Sequence, residues 1–167
     1  MVRRLLPVFT LALAATIAAD AWSSTAGAPG PTCGSIIVPG GQFTWRPQRV
    51  VLGVVSAPPA YIPQTVSTGE SRWRYWSKSG IVVRANSDPV LVSVPRAWRG
   101  RAAISWGDAG VANALVFPSC PPSSSLGDWN PYSGGFYLRS RAACVPLIFR
   151  VGDQTQTMRF GVGKRCR

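Results

Sequence analysis

Beyond residue 32, every apolar stretch of the chain is short, rich in Val and Ile, and soon broken by Gly, Pro, Asn or Asp. No segment there carries apolar residues at helical spacing. Short β-branched runs bounded by turn formers are the pattern of strands, so the sequence predicts an all-β fold. Strands are expected over 35–38, 49–55, 73–76, 81–85, 90–94, 102–106, 114–117, 136–138, 145–151 and 156–162. Asn86-Ser87-Asp88-Pro89 and Gly107-Asp108-Ala109-Gly110 read as turns, and Gly152-Asp153 as a two-residue hairpin loop. Pro146 falls near the start of its strand, where a missing N–H is tolerated. With no internal repeat and one domain's worth of chain, residues 33–167 are expected to form a single disulfide-bonded β-sandwich, with a barrel as the alternative.

The start of the chain reads as an address. Arg3 and Arg4 precede an uncharged apolar run over 5–19, and Ala19-Asp20-Ala21 then offers small residues at a peptidase site. A charged head, a short apolar middle and an A-x-A-like end describe a secretory signal over 1–21. The run is shorter than the roughly 20 residues a spanning helix needs. Residues 22–32 read as a flexible lead-in, and the chain as a secreted protein that remains near the envelope.

Four cysteines follow the leader: Cys33, Cys120, Cys144 and Cys166. An even count in an exported chain implies two disulfides, and four cysteines allow three pairings. If Cys120 and Cys144 were partners, they would close the base of the long segment between them. The wide spacing, without C-x-x-C or histidine, does not fit a zinc or redox motif.

Several segments of the C-terminal half carry a resemblance. They are Val94-Pro95-Arg96-Ala97-Trp98-Arg99-Gly100-Arg101, Ile104-Ser105-Trp106-Gly107 and Phe117-Pro118-Ser119-Cys120. Trp129-Asn130-Pro131-Tyr132-Ser133-Gly134-Gly135-Phe136, Cys144-Val145-Pro146-Leu147 and Gly161-Val162-Gly163-Lys164-Arg165-Cys166 complete the set. Over roughly residues 90–166 the chain resembles a group of small secreted proteins of actinomycete-type bacteria. The resemblance implies an exported, disulfide-bonded module; it names no activity and carries no catalytic residue.

The chain has no histidine, which removes Ser-His-Asp and Cys-His triads and histidine acid–base work. There is no Gly-x-Ser-x-Gly elbow and no phosphate-cradling glycine loop ahead of a helix. Past the leader only Glu70, Asp88, Asp108, Asp128 and Asp153 are acidic. Asp88, Asp108 and Asp153 fall in turns, where Asp is favoured for local hydrogen bonds. Glu70 and Asp128 lie in the long segments 56–72 and 118–135, and they alone are free to serve as a hydrolase's carboxylate pair. Asp128 and Asn130 are too few oxygens for calcium. No cofactor and no metal are expected.

Charge and aromatics say more. Eighteen Lys and Arg against six Asp and Glu give a formal charge of +12, and a surface this basic attracts polyanions. On a strand, Arg72, Arg74, Trp76 and Lys78 would share one face, with Trp73 and Tyr75 on the other. Arg96, Arg99 and Arg101 form a second basic cluster, and Lys164, Arg165 and Arg167 a basic tail. Asp128, Trp129, Asn130 and Tyr132, with Phe136, would make an aromatic patch on an exposed loop, able to stack on sugars or anchor a partner. Trp45, Trp98 and Trp106 border strands and are expected to pack.

The expectation is a secreted, monomeric, non-catalytic module that binds an anionic polymer or surface of the cell envelope. Nucleic acid would be bound only non-specifically. Two alternatives stand beside it: a protein-interaction or inhibitor module using the 118–136 loop, and a cell-wall or nucleic-acid hydrolase using Glu70 and Asp128.

Overall fold

The computed structural model describes residues 27–38, 46–123 and 125–167. The leader over 1–21 and Trp45 lie outside them. Thirteen strands are named here: β1 Val50–Val51, β2 Val55–Ser56, β3 Tyr61–Ile62, β4 Val66–Ser67, β5 Tyr75–Lys78, β6 Ile81–Arg84, β7 Val90–Ser93, β8 Ala102–Trp106, β9 Ala114–Phe117, β10 Trp129–Tyr132, β11 Gly134–Leu138, β12 Ala143–Val151 and β13 Gln154–Val162. The all-β class expected from the sequence stands. The strands sort into three sheets: sheet 1 in the order β1-β2-β6-β10, sheet 2 in the order β4-β5-β11-β8, and sheet 3 in the order β3-β13-β12-β7-β9.

Two long strands each serve two sheets. β5 and β6 are separated only by Ser79-Gly80, and β10 and β11 only by Ser133. The register runs through the bend unbroken: Tyr132 faces Ile81 on one side of it, and Gly135 faces Lys78 on the other. The Ser79 N–H donates to the Gly134 carbonyl at 2.8 Å and bridges the bend. One antiparallel ribbon therefore folds over, and its halves become sheets 1 and 2. Glycine makes the fold-over fit. A Cβ on Gly135 would strike the Ser77 carbonyl, and one on Gly134 the Ser105 carbonyl.

Sheets 2 and 3 are joined along both margins. On one side the chain passes from β3, parallel to β13, straight into β4, antiparallel to β5. On the other, Ile104 in β8 and Ala112 just before β9 exchange two backbone hydrogen bonds of 2.9 Å each. The strands thus wrap a single core, to which all three sheets contribute. Val51, Val55, Ile81, Val83 and Tyr132 enter from sheet 1 and Ile104, Trp106, Phe136 and Leu138 from sheet 2, while Val92, Phe117, Leu147, Phe149 and Phe160 enter from sheet 3. Phe117 meets Tyr132 edge-on at 5.1 Å, and Phe136 meets Phe160 at 5.6 Å, so the aromatic packing crosses from sheet to sheet.

The alternation read from the sequence recovers β6 to β9, β12 and β13 closely. Gly152-Asp153 is the two-residue loop, between the paired Val151 and Gln154. Pro146 lies where β12 is not yet paired with β7, whose register starts at Ile148. Four expectations change. The strand expected over 73–76 is β5, Tyr75–Lys78, which leaves Trp73 and Arg74 outside it. Residues 49–55 do not form one strand, because Leu52 (φ 50°) and Gly53 (φ 72°) turn the chain back and split it into the β1–β2 hairpin. Residues 35–38 do not form a strand: Ser35 closes a short 3-10 turn, Cys33–Ser35, and 36–38 run on without regular structure. The two long segments are not structureless, since they hold β3, β4 and β10.

The disulfides pair Cys33 with Cys120 and Cys144 with Cys166, with Cα atoms 5.6 Å and 5.2 Å apart. Cys120 and Cys144, considered as partners that would close the 118–135 loop, do not pair. The end of the lead-in is held as well. The Val116 N–H donates to the Pro29 carbonyl at 3.0 Å, and Thr32 gives two hydrogen bonds to Asp108. Pro29 and Thr32 are thus tied to β9 and to the turn after β8.

Candidate functional site: the outer face of sheet 2

Alternation along the β5 segment matches the sequence expectation. Trp73, Tyr75, Ser77 and Ser79 turn inward, with Trp73 and Ser77 buried. Arg72, Arg74 and Lys78 are exposed, and Trp76 is half-buried on the same outward face. The Arg72 guanidinium lies 5.4 Å from the Trp73 ring.

The register adds what a single strand cannot show. Trp76 pairs with Val66 of β4 on one side and with Tyr137 of β11 on the other. Val66 is 54% exposed and Tyr137 half-buried. Val66, Trp76 and Tyr137 therefore form a row across three strands, and Ala103, its continuation on β8, is buried, so the exposed part of the row ends at Tyr137. Tyr75, Leu138 and Ala102 are in register with one another on the inner face. The next residues outward are Arg74, Arg139 and Arg101, all exposed. The Arg139 N–H donates to the Arg101 carbonyl at 3.2 Å, which keeps these two side by side. Adjacent strands lie about 4.8 Å apart, so three guanidinium-bearing residues start within about 10 Å, one step of about 7 Å from the apolar row. Arg101 stacks its guanidinium over Trp98, 4.2 Å from the ring centre.

A shallow groove of about 300 Å³ borders the row, lined by Ile62, Pro63, Gln64, Val66, Trp76 and Lys78. Its floor is apolar, while Gln64 and Lys78 are exposed polar side chains. A second hollow, of about 380 Å³, lies at the arginine end and includes Arg74, Glu70 and Tyr75.

The two basic clusters expected from the sequence are thus partly merged. Arg74, Trp76, Lys78 and Arg101 share one face. Arg96 and Arg99 lie in and just after a separate 3-10 turn, Arg96–Trp98, where Asn113 holds the Arg99 carbonyl at 3.3 Å. The basic tail follows β13 of sheet 3, with Arg165 over the Tyr61 ring at 4.8 Å. Tyr137 and Arg139 complete the face but were not singled out in the sequence. Their signal is only visible once β11 is paired with β5. Arg49 is drawn into the fold instead. It donates to the Pro58 carbonyl at 2.9 Å, lies over Phe160, and is lowered from its ordinary pKa by burial.

The loop patch is different from its expectation. Trp129 and Tyr132 bound β10, and Asn130 and Tyr132 are each only 1% exposed. The Asn130 amide donates to the Pro121 carbonyl at 2.9 Å, and its side-chain oxygen accepts from the Ser123 N–H at 3.2 Å. Phe136 is wholly buried. Of the four residues, Asp128 is exposed and Trp129 half-buried. Asn130 and Tyr132 are consumed by the fold because β10 must pair with β6 and cover the core. Burial, reinforced by the negative charge of Asp108, pushes the Tyr132 phenol above its ordinary pKa.

The two candidate carboxylates are not neighbours along the ribbon. Glu70 borders the Arg74 end of β5, and Asp128 lies where its carbonyl meets the Ala85 N–H, just past β6. Among the described residues, no three His, Cys, Asp or Glu side chains group as a metal site, and no helix is long and apolar enough to cross a membrane. No family model, curated protein or solved structure matches the chain.

Proposed function

We propose that the protein is an exported, non-catalytic binding module of the actinomycete-type group it resembles, and that it holds an anionic polymer or surface of the cell envelope on the outer face of sheet 2. The observation that supports this reading is that Arg74, Arg139 and Arg101, exposed residues just beyond the paired ends of β5, β11 and β8, border the in-register row of Val66, Trp76 and Tyr137. Guanidinium groups make planar, two-pronged hydrogen bonds to carboxylate and phosphate. Three of them side by side on an open sheet suit a charged chain more than a small molecule in a closed pocket. Two disulfides accord with an oxidising compartment, and the 1–21 leader supplies the route. In the same reading the architecture is a small barrel rather than a two-layer sandwich, since the strands return on themselves through Ile104 and Ala112.

The test is retention of the oxidised protein on teichoic-type polymer, DNA, peptidoglycan and a neutral polysaccharide across a salt series. Binding to the anionic members that falls steeply with salt is expected. No salt-sensitive binding to any of them would sink the proposal. The partner-binding alternative draws less support, because Asn130 and Tyr132 are buried.

A further inference from the structure

The outer face of sheet 2 has a shape as well as a charge. A site that held polyanions by charge alone would need no apolar row. Here Val66, Trp76 and Tyr137 run parallel to the arginines, on neighbouring strands and in register. Adjacent Cα atoms in such a row are about 5 Å apart, so Val66, Trp76 and Tyr137 present neighbouring apolar side chains on one face. The groove at the strip's edge combines Pro63, Val66 and Trp76 as apolar wall with Gln64 and Lys78 as polar rim. The backbone there is already committed: the Gln64 carbonyl accepts from the Ser77 hydroxyl at 2.6 Å. Gln64 is exposed and lines the groove. A sugar ring has the matching character, with an apolar C–H face and a rim of hydroxyls.

Building on the proposed binding face, we infer that its ligand is an acidic polysaccharide: sugar rings lie on the Val66–Trp76–Tyr137 strip, hydroxyls meet Gln64 and Lys78, and the carboxylate or ester charges of the chain meet Arg74, Arg139 and Arg101. A ringless polyphosphate would use the arginines and leave the strip empty. A single-stranded nucleic acid would stack bases on aromatics without a need for the hydroxyl-reading rim.

The experiment measures binding of the oxidised protein, and of its Trp76→Ala and Trp76→Phe variants, to polygalacturonate, sodium polyphosphate and poly(dT) at one ionic strength. Thermal unfolding of each variant checks that the fold is kept. Trp76→Ala is expected to weaken polygalacturonate binding about three- to tenfold and polyphosphate binding less than about twofold, with Trp76→Phe restoring most of the loss. Equal losses on both polymers, or no loss on either, would overturn the inference while leaving polyanion binding in place. Poly(dT) bound most tightly and with the greatest dependence on Trp76 would assign a nucleic acid instead. Failure of all three polymers to bind would remove the proposed function itself.

Discussion

Asp108 accepts two hydrogen bonds from Thr32, one from its backbone N–H at 2.8 Å and one from its hydroxyl at 2.7 Å. The pair joins residues 76 positions apart and fastens the segment before Cys33 to the turn after β8. The Thr32 backbone bond, then its hydroxyl bond, holds the Asp108 carboxyl below its ordinary pKa. A carboxyl lowered in the folded state adds stability above its unfolded value of about 3.9, and loses it as pH falls through the lower folded value. Thermal unfolding followed from pH 6 to pH 2 should show a fall in Tm below about pH 4. In Asp108→Asn that part of the fall should shrink, and Tm at pH 6 should be lower than in the parent.

The two disulfides should contribute unequally. Cys33–Cys120 closes 87 residues and Cys144–Cys166 closes 22. By loop-closure entropy these are worth about 4–5 and about 3 kcal/mol. Denaturant unfolding of the two paired Cys→Ser variants should rank them in that order, and peptide mapping of the oxidised protein should return only these pairings.

Asn130 should act on stability and not on binding. Asn130→Ala removes the amide that serves Pro121 and Ser123 and leaves those backbone groups short of partners, at a cost of about 1–3 kcal/mol. Urea unfolding should show the loss, while the folded fraction binds anionic polymer with unchanged affinity. A large affinity loss in folded Asn130→Ala would restore the 118–136 loop as a binding element.

Tyr132 offers a spectroscopic check of the core. Its phenol is pushed up by burial first and by the Asp108 charge second. A raised phenol pKa means that folding is favoured below the unfolded value of about 10 and disfavoured as pH rises through the folded value. Ultraviolet titration should show a phenolate step above pH 10 that is absent in Tyr132→Phe.

How much was legible in the sequence follows from where the information lay. β6 to β9, β12 and β13 are runs whose alternation or turn residues are local, so the chain displays them directly. β10 was read as loop because Pro131 and the neighbouring Asp, Asn and Ser look like turn chemistry. It is a strand because Asn130 and Tyr132 fill the core and the Pro131 carbonyl takes the Ile37 N–H at 2.9 Å. The β1–β2 turn was missed because Leu52, not a usual left-handed residue, carries a positive φ. The basic face was half legible. Arg72 to Lys78 alternate along one segment, but Tyr137, and Arg139 and Arg101 just past the paired ends, join them only through the pairing of strands about 25 to 60 residues apart in sequence. The disulfide pairing was open for the same reason.

The central claim is that binding belongs to the arginine row of sheet 2 and not to net charge. The direct measurement compares two charge-matched triple variants for binding to an anionic envelope polymer across a salt series. One carries Arg74→Gln, Arg139→Gln and Arg101→Gln; the other carries Lys164→Gln, Arg165→Gln and Arg167→Gln. The first should lose most of the affinity and flatten the salt slope by about 2–3, while the second keeps both near the parent's. Equal losses in the two variants would contradict the account, because the charge would then act as a diffuse field with no face of its own.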